Sequence, residues 1–312
     1  MSSTRARARE ALLQPGDIVD VVAPGFRCSP EALQGGVAFL RRLGLRPRLP
    51  RSIFGRDILC ANSDKLRFEH LRRALEAPDS RCLWCVRGGY GAIRLVDRLL
   101  ALPAPPRRKL LVGYSDATTL HYLFNHHWKW PSLHGPLLDR LGSGTLPPEE
   151  LDELKAVLFG AQRALEFTGL IPLNAAARAR RAVRSRVFGG NLTVLQTTLG
   201  TALQRQPRQI LFLEDVGERG YRVDRMLEHC AQAGALHALQ AVVFGSFIGG
   251  QEPDGRHLVP DVLRRFAREQ PFPVLTGIDA GHGERHRPVF FNTPAVLNCG
   301  AAPSLSIATA SL

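Results

Sequence analysis

The stretch Lys109-Leu-Leu-Val-Gly-Tyr-Ser-Asp-Ala-Thr-Thr-Leu-His-Tyr-Leu-Phe124 decides how this chain is read. Leu110, Leu111 and Val112 form a short apolar run closed by Gly113, and Leu120, Leu123 and Phe124 then recur at helical spacing. The period changes from that of a buried strand to that of a helix, and Ser115 stands at the change. A serine on a sharp strand-to-helix turn is exposed at a sheet edge. Small neighbours leave room for a substrate carbonyl, which is the physical content of the G-x-S-x-G elbow. Gly113 fits that pattern and Ala117 departs from it. A helix starting near Asp116 aims free N–H groups and its positive dipole end at the serine, an arrangement suited to a tetrahedral oxyanion. The same residues also read as an ordinary helix N-cap, where Ser and Asp are common.

At 312 residues the chain exceeds the comfortable size of one core, so two domains are expected. No apolar run approaches the roughly 18 to 20 residues that span a bilayer. Met1 to Pro15 is Arg-rich without an apolar segment and reads as a basic tail rather than a secretory signal. The net charge of +13 comes from arginine, with lysine only at Lys65, Lys109, Lys129 and Lys155. The arginines are scattered over helix faces or bunched in residues 175–186, without interleaved aromatic stacking platforms. That pattern argues against a nucleic-acid partner. It leaves many groups able to grip carboxylates. Six irregularly spaced cysteines point to a reducing compartment, and thus a cytoplasmic protein. Cys82 and Cys85 lie in a strand-like run, where residues three apart face opposite ways, so they read as structural.

Taken in order, Asp17 to Val22 reads as a strand, Ser29-Pro30-Glu31 opens a helix, and Leu45 to Leu49 reads as a second strand. Strand, helix, strand implies a parallel βαβ unit. A helix from Asn62-Ser-Asp64 leads to a strand at Cys82 to Val86 and then to the glycine loop Arg87-Gly-Gly-Tyr-Gly91. That loop lacks the G-x-G-x-x-G spacing and the Walker lysine, which argues against a nucleotide. In an open parallel sheet it shares a crevice with the Ser115 elbow. His134, in Ser132-Leu-His-Gly-Pro136, reads either as a residue lining the crevice or as a satisfied structural histidine, with the second preferred. The expected organisation is a basic tail over 1–14, an α/β nucleophile domain over 15–160, a linker over 161–186 and a second domain over 187–312.

The second half supplies the partners a serine needs. Gln209-Ile-Leu-Phe-Leu213 is an apolar strand ending at Glu214-Asp215, two carboxylates that are poorly solvated there unless paired. A helix-capping acid pair is the competing reading. His282 stands between Gly281 and Gly283, free to reach outward. His282, Glu284 and His286 could instead form a metal site, but they lie in a glycine-rich loop without an H-E-x-x-H. Ser115, Glu214 and His282 supply nucleophile, anion and base once each.

Six ordered motifs carry a resemblance over Pro15 to Asn298. They are Arg87-Gly-Gly-Tyr-Gly91, Gly113-Tyr-Ser-Asp116, Gly189-Gly-Asn-Leu192, Leu213-Glu-Asp-Val216, Tyr221-Arg-Val-Asp-Arg-Met-Leu227 and Gly281-His-Gly283. Together they resemble the LD-carboxypeptidases, a serine peptidase family that includes muramoyltetrapeptide carboxypeptidases and microcin C immunity proteins. The resemblance implies a Ser115, His282, Glu214 triad, with backbone oxyanion donors at Gly89 and Asp116. Substrate contacts fall to Gly88, Tyr90 and Asn191, with no metal and no cofactor. It implies an N-terminal open parallel-sheet α/β domain, a C-terminal domain rich in β structure, and a homodimer. The implied reaction removes the terminal D-alanine from murein tetrapeptide in cytoplasmic cell-wall recycling, away from membrane and nucleic acid. A microcin-type peptidyl-nucleotide amidase, another serine hydrolase, and a catalytically silent binding module are the alternatives. The first needs an aromatic platform that residues 175–187 lack.

Overall fold

The computed structural model describes residues 11–205 and 207–310. Runs such as Leu110–Gly113 and Ala241–Phe244 are apolar without interruption, as strands covered on both faces tend to be, and Ile18–Val22 is broken only by Asp20. They build a first sheet from β1 (Ile18–Val22), β2 (Arg46–Arg48), β3 (Ser80–Cys85), β4 (Leu110–Gly113) and β5 (Ser132–His134). These five are parallel, in the order β5-β4-β3-β1-β2. The helices between them are α1 (Pro30–Arg42), α2 (Asp64–Glu76), α3 (Val96–Leu100) and α4 (Thr118–Tyr122). Ser29 and Ser63 cap α1 and α2 by accepting a backbone N–H. Next come α5 (Leu138–Ser143) and α6 (Pro148–Leu158).

The second sheet takes β6 (Ala164–Thr168), β7 (Ile171–Pro172), β8 (Ala182–Asn191), β9 (Ile210–Val216), β10 (Ala241–Ile248) and β11 (Val274–Thr276). Helices α7 (Ala175–Arg178), α8 (Leu192–Gln196), α9 (Gly220–Gln232) and α10 (Val259–Arg268) connect them. Strand β12 (Val289–Phe291) crosses back and pairs antiparallel with β5 at the edge of the first sheet. Strands β13 (Pro294–Asn298) and β14 (Ser304–Ala308) return to the second. Its order is β6-β14-β13-β8-β9-β10-β11-β7, parallel from β8 through β11 and antiparallel outside them. A parallel-sheet α/β half followed by a β-rich half agrees with the expected fold class. Among the described residues no helix is long and apolar enough to cross a membrane.

Three local expectations differ from what is found. Residues 161–186, expected to be a linker, hold β6, β7, α7 and the start of β8. In the 1–14 tail, residues 1–10 lie outside the described residues, while Leu12 and Leu13 are buried and the Leu13 N–H donates to the Leu158 carbonyl at 3.0 Å. The helix after Ser115 starts as a 3₁₀ turn over Ser115–Ala117 and ends as a π turn over Leu123–His127.

One apolar cluster runs through both sheets, joining Val21, Trp84 and Val112 to Phe212, Val243 and Leu305. The two halves therefore share a core. Cys82 belongs to this cluster and Cys85 to the one on the other face, so the C-x-x-C pair is split across the sheet, both thiols free and buried.

Candidate active site

Ser115 is one of three non-glycine residues with positive φ among those described, at 62°. A side chain in the left-handed region costs on the order of 1 kcal/mol or more, and such strain persists only where the surroundings enforce it. Here they do. A Cβ added to Gly88 would lie 2.6 Å from the Ser115 Cβ and 2.8 Å from its Oγ, so the glycine loop can lie against the serine only because it carries no side chain.

Asp116 clasps the two loops together. Its Oδ2 accepts the Ala92 N–H at 2.9 Å from the end of the glycine loop. Burial pushes its carboxyl up to about 6, against the opposing influence of that N–H and of the Arg67 charge. A carboxyl whose pKa is higher folded than unfolded makes the fold lose stability as pH rises from about 4 to about 6. Asp116→Asn keeps an acceptor oxygen and removes this loss. Its melting temperature relative to wild type should therefore climb between pH 4 and pH 7, by an amount corresponding to at most about 3 kcal/mol. A flat difference across that range in calorimetry would contradict the assignment.

Arg67 was not singled out from the sequence, where it reads as one more helix-face cation. It is wholly buried. Its Nε donates to the Asn62 carbonyl at 3.0 Å, Nη1 to the carbonyls of Gly91 (2.9 Å) and Pro24, and Nη2 to Asp64 at 2.5 Å. One guanidinium thus ties the Ala23–Phe26 turn, the glycine loop and α2 together. Arg67→Met leaves the buried Pro24 and Asn62 carbonyls without this donor, while Asp64 and the Gly91 carbonyl keep Arg94, and should cost about 3 kcal/mol or more in urea unfolding. Lysine should not restore it, having no planar fork to serve three directions.

The candidate acid and base, Glu214 and His282, come from the other half. Parallel pairing sets Asn191 of β8 beside Glu214 of β9, and the Asn191 N–H donates to Thr118 Oγ1 at 3.0 Å, docking β8 onto α4. Glu214 is completely buried, and its Oε2 lies 2.7 Å from His282 Nδ1. Burial alone would raise the Glu214 pKa; the imidazoles of His134 and His282 outweigh it and hold the carboxyl at about 2. Gly281, at φ 131°, lets the loop pass this carboxylate, since a Cβ there would sit 2.8 Å from Oε2. The His282 ring packs edge-on to Tyr114, the neighbour of Ser115, with centroids 4.7 Å apart. Among the described residues no hydrogen bond joins Ser115 to His282. Catalytic hydrogen bonds are often long before substrate binds.

Asp215 faces a different task. It accepts from Asn191 Nδ2 (2.9 Å), the Thr193 N–H (2.9 Å) and the Thr193 hydroxyl (2.8 Å), which fixes the start of α8. The Asn191 side chain, expected at the substrate, is buried in this network and caps α8 by accepting the Val194 N–H at 3.1 Å. Tyr90 is partly exposed at the loop tip, and its carbonyl accepts the Cys60 thiol. Neither the Gly89 nor the Asp116 N–H has a backbone partner among the described residues.

His134, read as structural, is buried with both ring nitrogens lacking hydrogen bonds among the described residues, and its Nε2 stands 3.8 Å from Glu214 Oε1. That distance is too long for a hydrogen bond, yet it puts a second imidazole on the carboxylate. The usable signal was register: β5 lies beside β4 with His134 opposite Gly113. His121 bridges Ser132 Oγ (2.8 Å) and the Gly113 carbonyl (2.9 Å), and burial holds it neutral, with its pKa lowered to about 3. Of the alternative metal set, Glu284 is exposed while His286 is buried with Nδ1 against the Gly281 backbone.

A strained serine at a parallel strand end, beside a glycine loop and across from a histidine–carboxylate pair, is the layout of a hydrolase site. The chain belongs to the LD-carboxypeptidase family: residues 19–135 match the family's N-terminal domain and residues 184–297 its C-terminal domain. It is 37% identical over 283 residues to a putative carboxypeptidase of Rickettsia conorii, covering 88% of this chain and 86% of that one. It is 30% identical over 289 residues to the murein tetrapeptide carboxypeptidase of Pseudomonas aeruginosa, covering 89% and 92%. The crystal structure of muramoyltetrapeptide carboxypeptidase from Oxalobacter formigenes superposes with a TM-score of 0.81 at 25% identity, covering 93% of this chain and 98% of that one.

Proposed function

We propose that the protein is a serine LD-carboxypeptidase that releases terminal D-alanine from murein tetrapeptide. The observation that carries this reading is the 2.7 Å contact of His282 with buried Glu214, beside the strained Ser115 elbow. In the proposed reaction Ser115 Oγ attacks the carbonyl of the LD bond while His282 Nε2 takes its proton. Glu214, kept anionic, fixes the tautomer through Nδ1 and stabilises the imidazolium. The N–H groups of Gly89 and Asp116 receive the oxyanion. The carbon–nitrogen bond then breaks, His282 returns the proton to the leaving D-alanine amine, and water cleaves the acyl-serine by the same steps in reverse. Gly88 and Tyr90 line the approach, and the backbone of Asn191 borders it. The relative from Pseudomonas aeruginosa, called a murein tetrapeptide carboxypeptidase, supports the choice of substrate. The absence of aromatic residues from 175–187 weighs against a peptidyl-nucleotide substrate.

The test is incubation of purified protein with murein tetrapeptide, followed by mass spectrometry. Loss of one alanine residue to give the tripeptide is expected. An unchanged tetrapeptide, with cleavage of a peptidyl nucleotide instead, would replace this reading by the amidase alternative.

A further inference from the structure

A second concave site lies at the opposite ends of the strands that carry the serine and its partners. Its cavity, about 670 Å³, is lined by Arg108, Lys129, Arg186 and Arg208 around a floor that includes His126 and Thr293. Arg108 precedes β4, Lys129 precedes β5, and Arg208 precedes β9. Ser115 and His134 stand beyond and at the far ends of β4 and β5, and Glu214 lies in the far half of β9. The cavity is therefore separate from the catalytic crevice.

Its chemistry is one-sided. Among the described residues the lining contains four permanent cations and no carboxylate. None of the four has an acidic partner within 4.0 Å among the described residues, although exposed arginines elsewhere, such as Arg256 and Arg264, are paired. Arg186 is partly committed, its Nη1 donating to the Asn292 carbonyl at 2.5 Å. On the floor, His126 is 9% exposed and Thr293 3%, and both His126 Nε2 and Thr293 Oγ1 are buried without a hydrogen-bond partner among the described residues. Buried polar atoms are ordinarily satisfied, so these two groups, with Gln209 Oε1 as a third unpartnered atom on the same lining, call for a ligand that can bond them. The floor is held by the turn joining β12 to β13, where Asn292 takes φ 59° and its Nδ2 reaches the Asn125 and Trp130 carbonyls. Strand β12 belongs to the first sheet and β13 to the second, so the cavity spans the seam between them.

We infer that this seam cavity binds a small phosphate-bearing anion. Three guanidiniums and an ammonium match an anion of at least two charges, and the arginine fork fits phosphate oxygens in pairs. The size lies within the range of small-molecule pockets and exceeds what a single phosphate needs, so the class is a di- or oligophosphate. A nucleic-acid strand fits less well, because the cations surround a concavity and no stacking platform is exposed beside them.

Inorganic pyrophosphate is the probe, titrated into the full-length protein by calorimetry at physiological ionic strength, with melting temperature as a second readout. Saturable one-to-one binding and a rise in melting temperature are expected. The pair Arg108→Gln and Arg208→Gln, both exposed side chains, should weaken binding roughly tenfold or more. Thr293→Val should weaken it by a smaller factor with the fold retained. Arg41→Gln with Arg46→Gln removes the same charge at the opposite edge of the first sheet and should leave the affinity unchanged. Non-saturating binding, or an equal loss in this control pair, would reduce the site to general surface charge and overturn the inference. Tighter binding of a single-stranded oligonucleotide, lost in the Arg108 and Arg208 pair, would overturn it in favour of a nucleic-acid site.

Discussion

Ser115→Ala is expected to lower kcat/KM for the tetrapeptide on the order of 10⁶-fold, as loss of a serine nucleophile does elsewhere. The fold should survive, because the hydroxyl makes no hydrogen bond within the protein among the described residues and only the elbow backbone shapes the turn. Ser115→Gly separates the two roles of the position. The same φ of 62° that strains a serine costs glycine little. The glycine variant should therefore be as inactive as the alanine variant yet melt at a higher temperature. Retention of more than a few per cent of the wild-type rate by either variant would show that the nucleophile lies elsewhere.

The second large effect separates two adjacent carboxylates. Glu214→Gln removes the anion that orients His282 and presents it with an amide able to favour the wrong tautomer. A fall of about 10⁴ in kcat is expected, with little change in KM. Asp215→Asn should act mainly on stability, because Asp215 organises Asn191 and Thr193 at the start of α8 and does not touch His282. Burial raises the Asp215 pKa while the imidazoles hold the Glu214 carboxyl low, so the neighbouring acids are shifted in opposite directions. Kinetics and unfolding on the two folded variants decide the matter. A larger loss of rate in Asp215→Asn than in Glu214→Gln would show that the roles had been assigned the wrong way round.

The parallel strands were legible in the sequence because burial on both faces leaves an unbroken apolar run, as in Ile210 to Leu213 or Ala241 to Phe244. The antiparallel outer strands were not. In β6 exposed Glu166 and Thr168 alternate with buried Leu165 and Phe167, a pattern too short to stand out amid arginine-rich sequence. The same limit governs the candidate site. Ser115, Glu214 and His282 advertise themselves through local features: a change of period, a strand end, flanking glycines. Arg67 and His134 do not, because what distinguishes them is packing. Arg67 matters through carbonyls up to 43 residues away in the chain, and His134 through a strand register that places it beside the serine strand. Asn191 shows the converse, since a motif position that suggests substrate contact carries a side chain already engaged by the fold.

Strand β12 sets the order in which the molecule can be finished. It is synthesised after every other strand of the first sheet, yet it covers the edge of the sheet that bears Ser115, pairing Val289 with His134. Domains generally fold in the order they leave the ribosome, and an uncovered strand edge is a liability while it waits. Most of the serine-bearing sheet can assemble early, but β5 keeps an unpaired flank until residues 289–291 appear. On the assignment made above, Glu214 and His282 also follow Ser115 in the chain, so a nascent chain holds an idle serine until both have emerged. Hydrolytic power then waits for the base, and it arrives together with the strand that closes the open edge.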